Sequence, residues 1–324
     1  MLRKSSRPPR RSKLDRLLTA PEIAARRERL AEVIPLLRER LDPCLLCPRH
    51  CAARRTRGQT GECGLDDRLR VASVARHGGE EPPLSGKQGA INVFYSGCSL
   101  HCRHCQNWPL SQRQVGTDLT PAALADRILR KWLQGAHTLG WVTPSPQIVP
   151  ALEAYVACLD QGFDLPLVHN GGGYDDPEII ALLAGIVDLW LPDAKTVSPE
   201  RAAAIQDAAD YPQHNREALE AMVKQVRAGQ ARAVIVRHLV LPEATDDSRQ
   251  VLEILWEAFG NRIHISLMAQ YFPTYRTENH ETLGRQITAE EYDGVVAFAR
   301  ELGFRHGWVQ QHGMEHGIPL CCLP

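Results

Sequence analysis

Six short apolar runs of β type, interleaved with stretches of helical periodicity, constrain this chain more than any other feature. The runs are 90–95 (AINVFY), 138–143 (TLGWVT), 165–169 (LPLVH), 186–191 (IVDLWL), 233–241 (AVIVRHLVL) and 263–268 (IHISLM). Helix patterns fall at 120–135, 147–161, 176–184, 213–228, 245–259 and 288–302. Thr120-Pro121 and Asp176-Pro177 have the look of an N-cap followed by a proline in the first helical position. Strands this continuously apolar predict a parallel sheet covered by helices on its faces. Such a sheet is either doubly wound or rolled into a barrel. No period of 20–50 residues recurs as a solenoid would require. The region has no low-complexity linker and reads as one continuous unit, residues 76–324.

Upstream the rhythm differs. Residues 1–13 hold six Lys or Arg with no apolar segment behind them, which predicts a solvated basic arm rather than a secretory signal. Over 14–40, Leu14, Leu17, Leu18, Ile23, Leu30, Val33, Ile34 and Leu37 recur at intervals of three and four. They predict a helix, closed by Pro43. A cysteine-rich segment completes this part, 14–75. Lys and Arg number 38 and so do Asp and Glu, which gives no electrostatic case for nucleic acid as the main partner. No apolar run approaches the roughly 20 residues of a membrane span. A cytoplasmic location is therefore expected. Structural disulfides are rare in that compartment, so the clustering of ten cysteines points to metal.

Cys98, Cys102 and Cys105 are spaced C-x3-C-x2-C directly after the first strand of the series. They occupy the loop leaving its C-terminal end, where parallel α/β folds bind ligands. A structural zinc takes four ligands, which His101 or His104 would have to complete. A cubane iron–sulfur cluster takes four cysteines, one per iron. Three thiolates leave one iron open to a small chelating molecule. Cys44, Cys47, Cys51 and Cys63 form a second set, C-x2-C-x3-C-x11-C. This closed set fits a structural zinc, and a second iron–sulfur cluster fits nearly as well. The glycines flanking Cys63, Gly61 and Gly64, incline the reading to zinc. Cys158 falls in a helix pattern as a buried small hydrophobe, and Cys321 and Cys322 sit in the tail without an assigned role.

C-x3-C-x2-C in the loop after the first strand of a βα barrel resembles the radical S-adenosylmethionine (radical SAM) superfamily. The resemblance implies a partial (β/α)6 TIM-like barrel with the cysteine-rich segment as an N-terminal extension. It also implies a [4Fe-4S] cluster on Cys98, Cys102 and Cys105 whose open iron chelates SAM. One electron then cleaves SAM to methionine and a 5′-deoxyadenosyl radical, which abstracts hydrogen from a substrate. The residue before the third cysteine, often aromatic in the superfamily, is His104 here. "CLLCPRHC", "SGCSLHCRHCQNW", "GIVDLWLPDAK", "VIVRHLVLP" and "ISLMAQYFP" are similar to a subgroup named after pyruvate formate-lyase activating enzyme.

Several residues acquire expected roles from that resemblance. Asp193 and Lys195, two apart at a strand end and so pointing the same way, match a D-x-K pair that contacts SAM in the activating enzymes. A surface ion pair is the alternative. The superfamily's Gly-Gly-Glu-Pro motif follows the second strand, whereas "GGEEP" at 78–82 precedes the first. Thr143, in "VTPSP", is expected to take over that SAM contact. Glu80 and Glu81 then either cover the active-site mouth or form a plain solvated turn. Asn170 ends the third strand before glycines that admit close backbone approach, and His238 lies within the fifth. Both are expected at the cofactor, with a hydrogen-bonded core position as the alternative for His238. Gln270 and Tyr271 are expected to line the substrate pocket. The implied partners are SAM and an electron donor such as flavodoxin or ferredoxin. The substrate is either a glycine of a partner protein, converted to a glycyl radical, or a small metabolite or RNA. A non-enzymatic iron–sulfur or zinc protein is the reading from another class.

Overall fold

Alternation of apolar strands with amphipathic helices builds one ten-stranded sheet around the site. The computed structural model describes residues 12–310 and 317–319. Residues 1–11 of the basic arm, and Cys321 and Cys322, lie outside the described residues. Helix α1 (Ala20–Glu39) leads to strand β1 (Leu69–His77), the short α2 (Pro82–Ser85), β2 (Ala90–Tyr95), α3 (Trp108–Ser111) and β3 (Thr117–Leu119). Then come α4 (Pro121–Trp132), β4 (Leu139–Val142), α5 (Ile148–Asp160), β5 (Leu167–Gly171), α6 (Pro177–Leu182) and β6 (Leu189–Pro192). The chain continues through α7 (Pro199–Gln206), α8 (Tyr211–Arg227), β7 (Ala233–Leu239), α9 (Thr245–Phe259) and β8 (His264–Met268). It closes with α10 (Ala289–Leu302), β9 (Gly307–Gln310) and β10 (Gly317–Pro319).

Strands β2, β4, β5, β6, β7, β8 and β9 pair in parallel, which makes a mixed α/β fold of the expected barrel type. The sequence shows six of these strands. The seventh, β9, is four residues long and too short to announce itself. β1 pairs antiparallel with β2, and β3 with β1. Among the described residues no pairing joins β9 to β2, so the barrel has an open side.

Local chemistry sets most boundaries. The Thr120 hydroxyl accepts from the Ala123 N–H and the Asp176 carboxylate from the Glu178 N–H, as the Thr-Pro and Asp-Pro pairs imply. Helix α1 begins at Ala20 rather than Leu14, because Glu22 reaches back to the Thr19 N–H at 2.8 Å and closes a capping box. Leu18 is tied instead to the Asp164 carbonyl at 2.8 Å. Arg26 of α1 bonds Asp188 at 2.8 and 3.1 Å, and both are buried. That pair fixes the N-terminal helix to the barrel wall. Cys158 is fully buried in α5.

Period two decides what the lumen holds. Val168, Leu189, Leu191, Ala233 and Ile235 point inward and form a small apolar cluster with Leu84 of α2 and Trp308 of β9. Leu167, Trp190, Val234 and Val236 alternate with them and join the larger core.

Candidate active site

Above the lumenal cluster the inward positions turn polar. A cavity of about 210 Å³ is lined by Cys98, Cys102 and Cys105, by Thr143, Asn170, Asp193 and Lys195, and by Arg237 and Gln270. The three cysteines therefore share one chamber with five of the seven other residues expected at the site.

Tight loop packing shapes this chamber. Gly97 precedes the first cysteine at φ +77°, and a Cβ there would sit 2.7 Å from the Cys63 carbonyl. The cluster loop thus runs directly against the second cysteine segment. Gly173 lies at φ +71°, and its Cβ would meet the Asp193 carbonyl at 2.0 Å. Two α8 side chains hold these loops together. Asn215 Nδ2 donates to the Gly173 and Asp193 carbonyls at 2.9 and 2.8 Å. The Tyr211 hydroxyl lies 3.0 and 3.1 Å from the Gly172 and Asp193 carbonyls and accepts from the Lys195 N–H at 3.1 Å. Thr143 adopts φ +57°, an outlying backbone state for a β-branched residue and one that clusters at functional sites.

Lys195 Nζ lies 2.6 Å from Asp193 Oδ2. Burial opposes the ammonium, but Asp193 and the Cys102 sulfur outweigh it, so its pKa is raised. Lys195 stays a cation inside the chamber. Burial pushes the Cys98 thiol up, helped by Cys102, and the Cys102 thiol up to about 11, with Lys195 opposing. Binding iron must therefore release protons here.

The donor set fits a cubane cluster. His101 cannot complete a zinc site, since its Nδ1 faces Asp207 at 2.9 Å and its Nε2 the Glu62 carbonyl at 3.1 Å. A cubane instead gives each thiolate its own iron. His104 is buried within the chamber wall, and burial pulls its pKa down to about 3, aided by Lys195 and Arg201.

Two expectations need correction. His238 does not reach the chamber. It is 1% exposed, with Nδ1 2.7 Å from the Ala194 carbonyl and Nε2 2.9 Å from the Ser248 hydroxyl. Alternation along β7 turns His238 outward and its neighbour Arg237 inward. Tyr271 is likewise buried outside the pocket, its hydroxyl donating to the Leu283 carbonyl at 2.6 Å, while Gln270 faces inward.

Arg237 is the site residue that the sequence reading missed. Its Nε and Nη2 bond Glu81 at 2.7 and 2.6 Å, and Nη2 also pairs with Glu80. Asn92 Nδ2 donates to Glu80 Oε1 at 2.6 Å. "GGEEP" is thus neither a solvated turn nor a SAM loop. The turn leaves β1 beside the N-terminal end of β2, where His77 pairs with Ala90, and sends both carboxylates into the barrel to floor a second chamber. That chamber, of about 500 Å³, also carries Phe94, Gln106, Asn170, Gln270, Phe272 and Trp308.

The radical SAM superfamily model matches residues 92–255, a little over half of the chain. An uncharacterized protein of Methanocaldococcus jannaschii is 25% identical over 271 residues, 80% of this chain and 74% of its own. A second uncharacterized protein of that organism is 30% identical over 82 residues, 21% of this chain and 24% of its own. The crystal structure of a radical SAM methyltransferase from Sphaerobacter thermophilus superposes with a TM-score of 0.50 at 14% identity. It covers 68% of this chain and 66% of that one, a likeness of fold alone. The superfamily model's match over more than half of the chain, consistent with three cysteines gathered in one chamber of a parallel α/β fold, identifies the chain as an enzyme of the radical SAM superfamily, which works with a [4Fe-4S] cluster and SAM.

Proposed function

We propose that this enzyme cleaves SAM reductively to abstract hydrogen from a glycine residue of a partner protein, in the manner of a pyruvate formate-lyase activating enzyme. The observation that carries the protein-substrate reading is the second chamber. It adjoins the cysteine chamber through Asn170, Arg237 and Gln270 and lies at the unpaired gap between β2 and β9. It draws Phe94 from one edge and Trp308 and Gln310 from the other, and its rim carries Phe272, 44% exposed. A slot open at a sheet gap suits an extended peptide. The amides of Gln106, Asn107, Asn170, Gln270 and Gln310 along its wall match peptide N–H and C=O groups.

Cys98, Cys102 and Cys105 hold the cluster, which when bound supplies the electron for SAM cleavage. Lys195 faces the SAM carboxylate, and Asp193 a ribose hydroxyl or the ammonium. Thr143 and Asn170 offer further polar contacts to SAM. Tyr211 and Asn215 position the Asp-Lys segment without touching the ligand. Lys195→Ala is expected to weaken SAM binding by about 1.5–3 kcal/mol, the range for a hydrogen bond to a charged group. Calorimetric titration of the reconstituted protein reads this, and unchanged affinity removes Lys195 from the site.

The substrate class is tested with a proteome labelled with α-dideuterated glycine and dialysed free of small molecules. Deuterium entering 5′-deoxyadenosine supports the glycyl reading. Deuterium arriving only from a metabolite or RNA fraction replaces it.

Cys44, Cys47, Cys51 and Cys63 form the second metal site in this proposal. The Cys47 thiol is pushed up to about 12 by burial, with the other three sulfurs adding to the effect. A Cβ at Gly61 would lie 3.0 Å from Cys51 Sγ and 3.8 Å from Cys63 Sγ. A closed set of thiols packed against the cluster loop suits a structural metal, either zinc or a second cluster. Metal affinity there is then also folding free energy. Cys44→Ala and Cys63→Ala are expected to lower the unfolding temperature while the folded fraction still cleaves SAM with dithionite. Intact stability together with slower cleavage from a protein reductant assigns electron relay instead. Metal analysis of the Cys98/Cys102/Cys105 triple-alanine protein separates zinc from iron.

A further inference from the structure

The second chamber has a floor whose charges do not cancel. Glu80 and Glu81 share one guanidinium, that of Arg237, whose Nε and Nη2 both bond to them. The other polar neighbours of Glu80 add no positive charge. Asn92 donates a neutral amide N–H to Oε1 at 2.6 Å. His77 Nδ1 lies 3.4 Å from the same oxygen. That nitrogen accepts the Gly79 N–H at 3.3 Å, so it carries no proton towards the carboxylate. Lys195, in the adjoining chamber, is matched by Asp193 at 2.6 Å. Two carboxylates against one guanidinium leave an excess of negative charge. Glu81 gives one lone pair of each oxygen to Arg237, and each oxygen keeps another.

An unpartnered hydroxyl stands beside this floor. Ser266 lies opposite Arg237 in the register of β7 and β8, and opposite Trp308 in that of β8 and β9. It is 5% exposed and lines the chamber, and among the described residues its side chain has no hydrogen-bond partner. A buried hydroxyl left without a partner is costly, and one that faces a cavity is satisfied by what enters it. The wall adds Phe94, Phe272 and Trp308. Aromatic faces attract a cation, and the apolar stem of a long basic side chain packs well on them.

We propose that this chamber takes a lysine or arginine side chain of the substrate, with its charge against Glu80, Glu81 and the Ser266 hydroxyl and its stem along the aromatic wall. An anionic group there would meet two carboxylates, and a neutral apolar one would leave Ser266 unpaired. The inference rests on the protein-substrate reading and adds the residue type, near the target glycine, by which the partner is selected.

The test uses the reconstituted holoenzyme with SAM and capped alanine heptapeptides bearing α-dideuterated glycine at the centre. Lysine or arginine is placed in turn at every other position, and matched series carry norleucine or glutamate instead. Calorimetry reads binding, and deuterium in 5′-deoxyadenosine reads transfer. At one position or more the basic peptide is expected to bind about tenfold tighter than its norleucine match, the scale of a charge-assisted hydrogen bond. Glu81→Gln is expected to remove most of that preference, and Ser266→Ala to lower it about threefold, with norleucine binding unchanged. Ser266→Ala leaves the ion triad intact, so it reads the site even where Glu81→Gln does not fold. Equal binding of basic and norleucine peptides at every position overturns the proposal, as does tighter binding of the glutamate series. A preference unchanged by Ser266→Ala or by folded Glu81→Gln overturns it as well. Selective binding of basic peptides without deuterium transfer supports the pocket and overturns the glycyl reading instead.

Discussion

Replacing Cys98, Cys102 and Cys105 together with alanine is expected to remove the barrel cluster and abolish 5′-deoxyadenosine formation, with the fold retained. The three side chains line a cavity and pack on a small cluster with Leu100, Tyr174 and Tyr211, so their loss opens space beside that cluster without leaving an unpaired charge. The parallel strands and the Arg26–Asp188 pair that anchors α1 do not depend on them. Any iron that remains then belongs to Cys44, Cys47, Cys51 and Cys63. Anaerobic reconstitution followed by iron analysis and the visible absorbance of the cluster reads the result. Iron content unchanged by the triple substitution contradicts the assignment.

Arg237→Leu is expected to cost about 3–5 kcal/mol of stability, because removing one partner of a buried ion pair strands the other. Here two carboxylates are stranded. The Glu80 and Glu81 side chains are 10% and 5% exposed, and Arg237 is the cation they share, with His77 3.4 Å from Glu80 on the other side. Burial alone would raise the Glu80 pKa, but Arg237 and the hydrogen bonds from Arg237 and Asn92 bring it below its ordinary value. A carboxylate depressed in the folded state stabilises above its unfolded pKa, and that contribution fades as pH falls through the folded value. Without Arg237 the sign reverses. Burial then favours the protonated form of Glu80, so the gap between variant and wild type should be widest near neutral pH and shrink towards about pH 4–5. Adding Glu80→Gln and Glu81→Gln to Arg237→Leu should recover part of the loss. Urea unfolding across pH reads both effects, and a gap that stays constant with pH contradicts the account.

Much of this was legible because local pattern and local structure coincide. The apolar run 90–95 is β2 and the periodic stretch 245–259 is α9, residue for residue. The cysteine loop was legible for the same reason, since its spacing and its place after a strand are both local. β1 was missed because "LRVASVARH" mixes charge into a strand whose second half is largely exposed. The choice of His238 over Arg237 failed on parity. Asp193 and Lys195 pointed inward by period two, and extending that test to β7 would have put Ile235 and Arg237 in the lumen. The role of "GGEEP" was not legible at all, because Glu81 meets Arg237 across 156 residues of sequence. Only the curling of the sheet brings them together. Tyr211 and Asn215 stayed hidden for the same reason, as their partners are backbone carbonyls of two distant loops.

The central claim is that this chain's three-cysteine chamber cleaves SAM by reduction. It is tested most directly by incubating the anaerobically reconstituted protein with SAM and dithionite and resolving the products by mass spectrometry. The account predicts 5′-deoxyadenosine and methionine in equal amounts, absent from the Cys98/Cys102/Cys105 triple-alanine protein. SAM left intact by a fully reconstituted, reduced enzyme, or the same products from the triple variant, would contradict it.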